Sequence, residues 1–107
     1  MTGTAQQSNI DDSLAVDDDA LRLRASGKSF GAIAKELGYE RAHEANEAFN
    51  RALRRKPPKQ RKKLRDAELI RLDAMADGVR SRPQLEPDDV ARRLRGVERL
   101  RTLLLAD

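Results

Sequence analysis

The chain has no cysteine and no tryptophan, and its only aromatic residues are Phe30, Tyr39 and Phe49. Without thiols it can form neither a disulfide nor a thiolate metal site, which fits a reducing compartment. With aromatics at 3% of 107 residues, it lacks the usual lining of a deep small-molecule pocket. β-Branched residues are scarce too, which argues against a β-sandwich. No apolar run approaches the length of a membrane span, and no signal-peptide pattern opens the chain. Hydrophobic residues make up 38% and charged residues 37%, a supply suited to one small domain with tails. The expectation is a cytoplasmic, all-α protein.

Charge is plentiful and unevenly placed. The net charge is +4, but residues 1–19 hold five Asp and no Lys or Arg. Residues 20–50 and 66–107 are close to neutral. Residues 51–65 hold nine cations and no acid: Arg51, Arg54, Arg55, Lys56, Lys59, Arg61, Lys62, Lys63 and Arg65. Clustered Lys and Arg are the footprint of a phosphate-binding surface. Cations also suit a helix C-terminus, but nine without an acid exceed what capping needs. If six of them met phosphate, affinity would fall with salt with a slope of about −5.

Residues 1–16 are expected to be a disordered acidic tail. A first helix is predicted from Asp17–Asp19, acting as cap and first turn, through Leu21, Leu23 and Ala25 to a stop at Gly27. The acidic tail is also a candidate to fold back on the basic block and weaken non-specific binding. Ser29 caps a second helix, in which Phe30, Ile33, Ala34 and Leu37 form a core stripe that ends at Gly38. A third helix runs from about Ala42 to Arg55, with Ala45, Ala48, Phe49 and Ala52 or Leu53 on its apolar face, and stops at Pro57–Pro58. The basic stretch then reads as a linker into a fourth helix ending near Asp77. Its apolar positions are Leu64, Ala67, Ile70 or Leu72, and Met75, and Gly78 and Pro83 interrupt the pattern. A fifth helix opens at Pro87 with Asp88 and Asp89, and Val90, Leu94, Val97, Leu100, Leu103 and Leu104 form its stripe.

Helices two and three carry the functional signal. Ala34 lets two helices approach, Gly38 four positions later permits a sharp turn, and an amphipathic helix follows. That is the logic of a helix-turn-helix whose second helix enters a major groove. The segment from Ala20 to Gly38 resembles the helix-turn-helix of homeodomain-like and resolvase-type DNA-binding domains. Its continuation through Tyr39, Ala45, Ala48-Phe49 and Arg51-Ala52-Leu53 resembles small actinobacterial and phage helix-turn-helix proteins, in which the turn is one residue longer. Leu64–Met75, and Val97-Glu98-Arg99-Leu100 with Leu103-Leu104, are similar to the later helices of that group, which includes phage terminase small subunits. The resemblance spans roughly residues 18–106. It implies a three-helix DNA-binding head, residues 17–56, and a C-terminal helical hairpin within residues 57–107 that assembles subunits or docks a partner.

Double-stranded DNA is therefore the expected partner, with a homo-oligomer and a large terminase subunit or another protein as further partners and no membrane. The protein would sit in the cytoplasm, or the host cytoplasm if phage-encoded, and on the nucleoid when bound. Candidate base contacts are Arg41, His43, Asn46 and Asn50, because Asn reads adenine and Arg reads guanine. Candidate phosphate contacts are Lys28 and the nine cations of the block. Ile70, Met75, Val90, Leu94, Val97, Leu100 and Leu104 are candidates for the hairpin core or for subunit contact. The same head would serve a transcriptional regulator or a nucleoid-type binder. Glu40, Glu44 and Glu47 on the third helix motivate an alternative of a different class, an adaptor that docks a basic protein partner. His43 has neither a Cys nor a second His beside it, and Ser26, Ser29 and Ser81 fit caps or turns. No metal, cofactor or catalytic group is expected.

Overall fold

A computed structural model describes the backbone of residues 2–106 and the side chains of residues 13–106. Within them all regular structure is helical: α1 Thr2–Ala25, α2 Phe30–Leu37, α3 Ala42–Arg54, α4 Pro58–Arg80 and α5 Pro87–Leu105. The helices form two compact units, residues 1–56 and 57–107, rather than the single small core expected from composition.

In the first unit α3 packs against both α1 and α2. The predicted stripe of α2 turns inward: Phe30, Ile33 and Ala34 are buried, and Leu37 is half-buried. Ala45, Ala48, Phe49, Ala52 and Leu53 meet it from α3, so both alternatives at the end of that stripe are core. Phe30 and Phe49 stack edge to face with centroids 5.6 Å apart, a favoured aromatic geometry. The guanidinium of Arg24 also lies over the Phe30 ring, 4.1 Å from its centre. Arg24 is buried and donates to the Lys28 carbonyl at 3.0 Å, closing the end of α1.

The turns follow from local chemistry. Ser29 accepts from the Ala32 N–H at 3.1 Å and so caps α2. Gly38 ends α2 with φ at 83°, a left-handed conformation that a Cβ would strain. The Tyr39 N–H then reaches back to the Ala34 carbonyl at 2.8 Å. Ser26 bonds the Leu23 carbonyl at 2.6 Å and Ser81 the Asp77 carbonyl at 2.7 Å, each at a helix end.

The start of α1 corrects the sequence expectation. Residues 13–16, assigned to a disordered tail, are helical, and the helix does not begin at Asp17. Asp17–Asp19 lie well inside it, so none of them serves as its cap. The rest of the tail, residues 1–12, lies outside the residues whose side chains are described.

In the second unit α4 packs on α5. Asp73 pairs with Arg101 at 2.9 Å, and Ala76 and Arg80 border the same shallow groove as Ala91 and Leu94. The buried side chains are Glu68, Leu72, Ala76 and Val79 on α4 with Val97 and Leu104 on α5. Of the Ile70/Leu72 alternatives, Leu72 is the core residue and Ile70 is 70% exposed. Met75 is also exposed, while Val90, Leu94 and Leu100 are half-buried. Two further expectations fail here. The basic stretch is not a linker, because α4 starts at Pro58, with proline at the position that needs no N–H partner. Gly78 does not break α4, which continues to Arg80.

Candidate nucleic-acid interface

The basic block divides according to what each cation faces. Arg51 donates from Nε and Nη2 to the two carboxylate oxygens of Asp17, both at 3.0 Å, and Arg55 adds a third bond at 3.2 Å. Asp17 is buried, with 4% of its surface exposed. Burial opposes its ionisation, yet the hydrogen bonds and charges of Arg51 and Arg55 outweigh burial and hold its carboxyl below the ordinary value. The same bonds keep Arg51 charged, above its ordinary value. Tyr39 borders this pair, and its phenol is pushed up by burial and then by the negative field of Asp17. Asp18 lies 3.8 Å from Arg55 and 3.9 Å from Lys56. Arg51, Arg55 and Lys56, offered by the sequence as phosphate contacts, are therefore first of all the clamp between α3 and α1. Asp17 and Asp18, read from the sequence as a helix start, are the acids that meet this part of the basic block, and the expected fold-back of the tail falls on residues whose side chains lie outside the described ones.

Base-contact expectations are also revised. Asn46 and Asn50 are 4% and 5% exposed, and the Asn50 amide donates to the Asn46 side-chain carbonyl at 3.2 Å. They lie on the inner face of α3 and cannot reach a base edge. The error was one of helix phase: Asn46 neighbours Ala45 and Phe49 on the stripe, and its polarity disguised that. The outward face of α3 carries His43, Glu47, Arg51 and Arg54, with Arg41 just before the helix.

The glutamates sort by the same geometry. Glu44 accepts from the Arg41 backbone N–H at 3.2 Å, half of a capping box. Glu47 adds to the field around Arg51. Glu40 and Glu47 stay exposed, so the carboxylates that motivate an adaptor are reduced from three to two on the outward side.

The remaining cations are differently placed. Lys28 pairs with Glu36 at 2.8 Å, both side chains being about half exposed, a contact worth little in water. Lys62 pairs with Asp66 at 2.8 Å. Arg54, Lys59, Arg61 and Lys63 have no carboxylate partner among the described residues. Arg65 follows half-buried on α4. Lys59, Arg61, Lys62 and Lys63 occupy the first two turns of α4, and no acid stands in its first turn.

Sequence reasoning missed three residues. Asp17 looked like a cap because runs of Asp start helices. Glu68, 1% exposed and bonded by Arg71 at 3.2 Å, sits at a stripe position the apolar pattern skipped. Arg24 is one turn from Lys28, and nothing local marks it as an aromatic partner. Among the described residues no group of three metal-ligating side chains converges, and no helix is long and apolar enough to cross a membrane. Comparison with family models, curated proteins and solved structures returned no match.

Proposed function

We propose that the chain binds duplex DNA, with α2 and α3 as a helix-turn-helix, α1 as its supporting helix, and α4 and α5 as a helical hairpin. The observation that carries this reading is the start of α4. Four cations stand in its first two turns, three of them without a carboxylate partner among the described residues. A helix N-terminus already carries roughly half a positive charge, so cations there oppose the dipole. That arrangement works against stability and suits an external polyanion, whose phosphates meet both the side chains and the helix end.

On the first unit Arg54 is a phosphate-contact candidate, and Arg41 and His43 become the base-contact candidates at and before the start of α3. The exposed Ile70, Met75, Leu103 and Leu105 suit subunit assembly through the second unit, which adds effective concentration to individually weak heads. The sequence resemblance favours a terminase small-subunit-like role, in which the assembly marks DNA for a large motor subunit. A transcriptional regulator would use the same chemistry.

A gel shift against duplex DNA over a salt series tests the reading. Binding should weaken by about 0.9 log units per phosphate contact for each tenfold rise in salt. An Arg54→Ala, Lys59→Ala, Lys63→Ala triple variant should flatten that slope by nearly three while melting like the wild type. Arg55→Ala should instead lower the melting temperature, because its partner is the buried Asp17. Absence of a shift at low salt would remove the DNA reading.

A further inference from the structure

Charge is distributed between the units in an unexpected way. Residues 1–56 carry nine basic and nine acidic side chains, and residues 57–107 carry thirteen and nine. The unit expected to read DNA is neutral, and the net cationic charge lies wholly in the other. The lysines of α4 account for only part of it. Helix α5 holds Arg92, Arg93, Arg95, Arg99 and Arg101.

Arg92, Arg95 and Arg99 share one exposed stripe of α5 at i, i+3 and i+7. Val97 is buried against α4, and Arg95 and Arg99 each stand two residues from it, about 200° around the helix. By that phase Arg92 and Arg99 stand away from α4, and Arg95 lies at the edge of the stripe, where its side chain also borders the shallow groove lined by Ala76 and Arg80. Arg101, three-tenths exposed, is held by Asp73 and Glu98 and belongs to the packed side. Arg92 pairs with Asp89 at 2.6 Å, while Arg95 and Arg99 have no carboxylate partner among the described residues. The stripe's other acid is Asp88, in the first turn, where the helix dipole accounts for it.

Gly96 sits beside this stripe, in the middle of α5. Glycine weakens a helix interior, and packing usually explains it. Here a Cβ would meet nothing within 4 Å, so no neighbour in the chain requires the missing side chain. A glycine flanked by outward arginines leaves room for an external backbone to approach closely. Arg92 to Arg99 spans about 10 Å of helix rise, enough for two adjacent phosphates of one strand.

On α4 the corresponding direction is reversed. Lys63 stands nine residues before the buried Leu72, about half a turn away in phase, so it points away from α5. Lys59 and Lys63 thus face the side of the α4–α5 pair opposite to Arg92 and Arg99, and one straight duplex cannot lie along both, while Arg61, eleven residues before Leu72, falls near its phase.

We propose that the outward face of α5, Arg92, Arg95 and Arg99 around Gly96, is a second phosphate-binding surface through which one chain bridges two nucleic-acid duplexes. This rests on the DNA-binding reading and goes beyond it.

The test is capture of a fluorescent duplex by an immobilised duplex that has first been saturated with the full chain. Wild type should capture. Arg95→Ala, Arg99→Ala should abolish capture while keeping the wild-type mass in light scattering. Gly96→Leu, which adds a good helix former into open space, should melt no lower than wild type and yet capture poorly. If wild type shifts duplex DNA but the double arginine variant captures as well as wild type, the second surface is overturned and the DNA reading stands. Loss of capture together with loss of assembly mass also overturns it, since the arginines would then be a subunit contact. So does a double variant that loses binding to anionic vesicles but keeps duplex capture. If wild type binds no duplex at low salt, both fall.

Discussion

Arg51 holds both carboxylate oxygens of Asp17 through Nε and Nη2, two bonds of 3.0 Å that join residues 34 positions apart. The clamp fixes α3 against α1 and turns one of the nine clustered cations into a structural residue. Asp17→Ala should therefore destabilise the first unit by about 2 kcal/mol, the usual scale for hydrogen bonds to charged groups. For a domain of this size that lowers the melting temperature by roughly 10 °C. Thermal denaturation followed by circular dichroism measures it. An unchanged midpoint would mean that solvation of Arg51, half exposed, replaces the clamp in full.

The same carboxylate sets a pH dependence. Its folded pKa lies below the ordinary 3.8, because the arginine bonds outweigh burial. A depressed acid contributes stability that is complete above the unfolded pKa and fades as pH falls through the folded one. The gap in urea midpoint between wild type and Asp17→Asn should stay constant from roughly pH 7 to pH 5. It should then narrow as pH drops below the ordinary carboxylate value. A gap that widened in acid would contradict the assignment.

Asn46 and Asn50 form a buried polar pair in an otherwise apolar face of α3. Removing one partner leaves the other amide without its bond, which costs about 1–3 kcal/mol. Removing both leaves neither stranded. Asn46→Ala and Asn50→Ala should each destabilise, and the double variant should lose less than the sum, a coupling that a double-mutant cycle in urea resolves. Strict additivity would show that water already satisfies both amides.

The helices were legible wherever periodicity and punctuation agreed. Phe30, Ile33 and Ala34 face inward as spaced, and Ser29 and Gly38 bound α2 as their chemistry requires. Buried polar residues were not legible, because a stripe drawn from apolar residues passes over Asn46, Asn50, Glu68 and Asp17, whose partners lie on another turn or another helix. The basic block had the same weakness. A run of like charges says nothing of which members meet a carboxylate, and only the packing of α3 on α1 separates Arg51, Arg55 and Lys56 from Arg54. Proline was misread for a related reason: it ends one helix and, at Pro58, starts the next.

Two glycines give opposite predictions for the same substitution. Gly38 holds φ at 83°, so an added Cβ is strained there even though no atom lies within 4 Å of it. Gly38→Ala should destabilise the first unit by about 1–2 kcal/mol, the penalty for a left-handed residue with a side chain. Gly96 lies within α5, equally open around its Cβ position and without the positive φ. Gly96→Ala should stabilise the second unit by nearly 1 kcal/mol through helix propensity alone. Hydrogen exchange separates the two effects, since protection should fall in α2 and α3 for the first variant and rise in α5 for the second. Changes of opposite sign, the larger for Gly38→Ala and each confined to its own helices, are the expected result. Loss of protection in α5 on Gly96→Ala would show that its helix needs the glycine, and that the open space beside Arg95 and Arg99 is not there for a ligand.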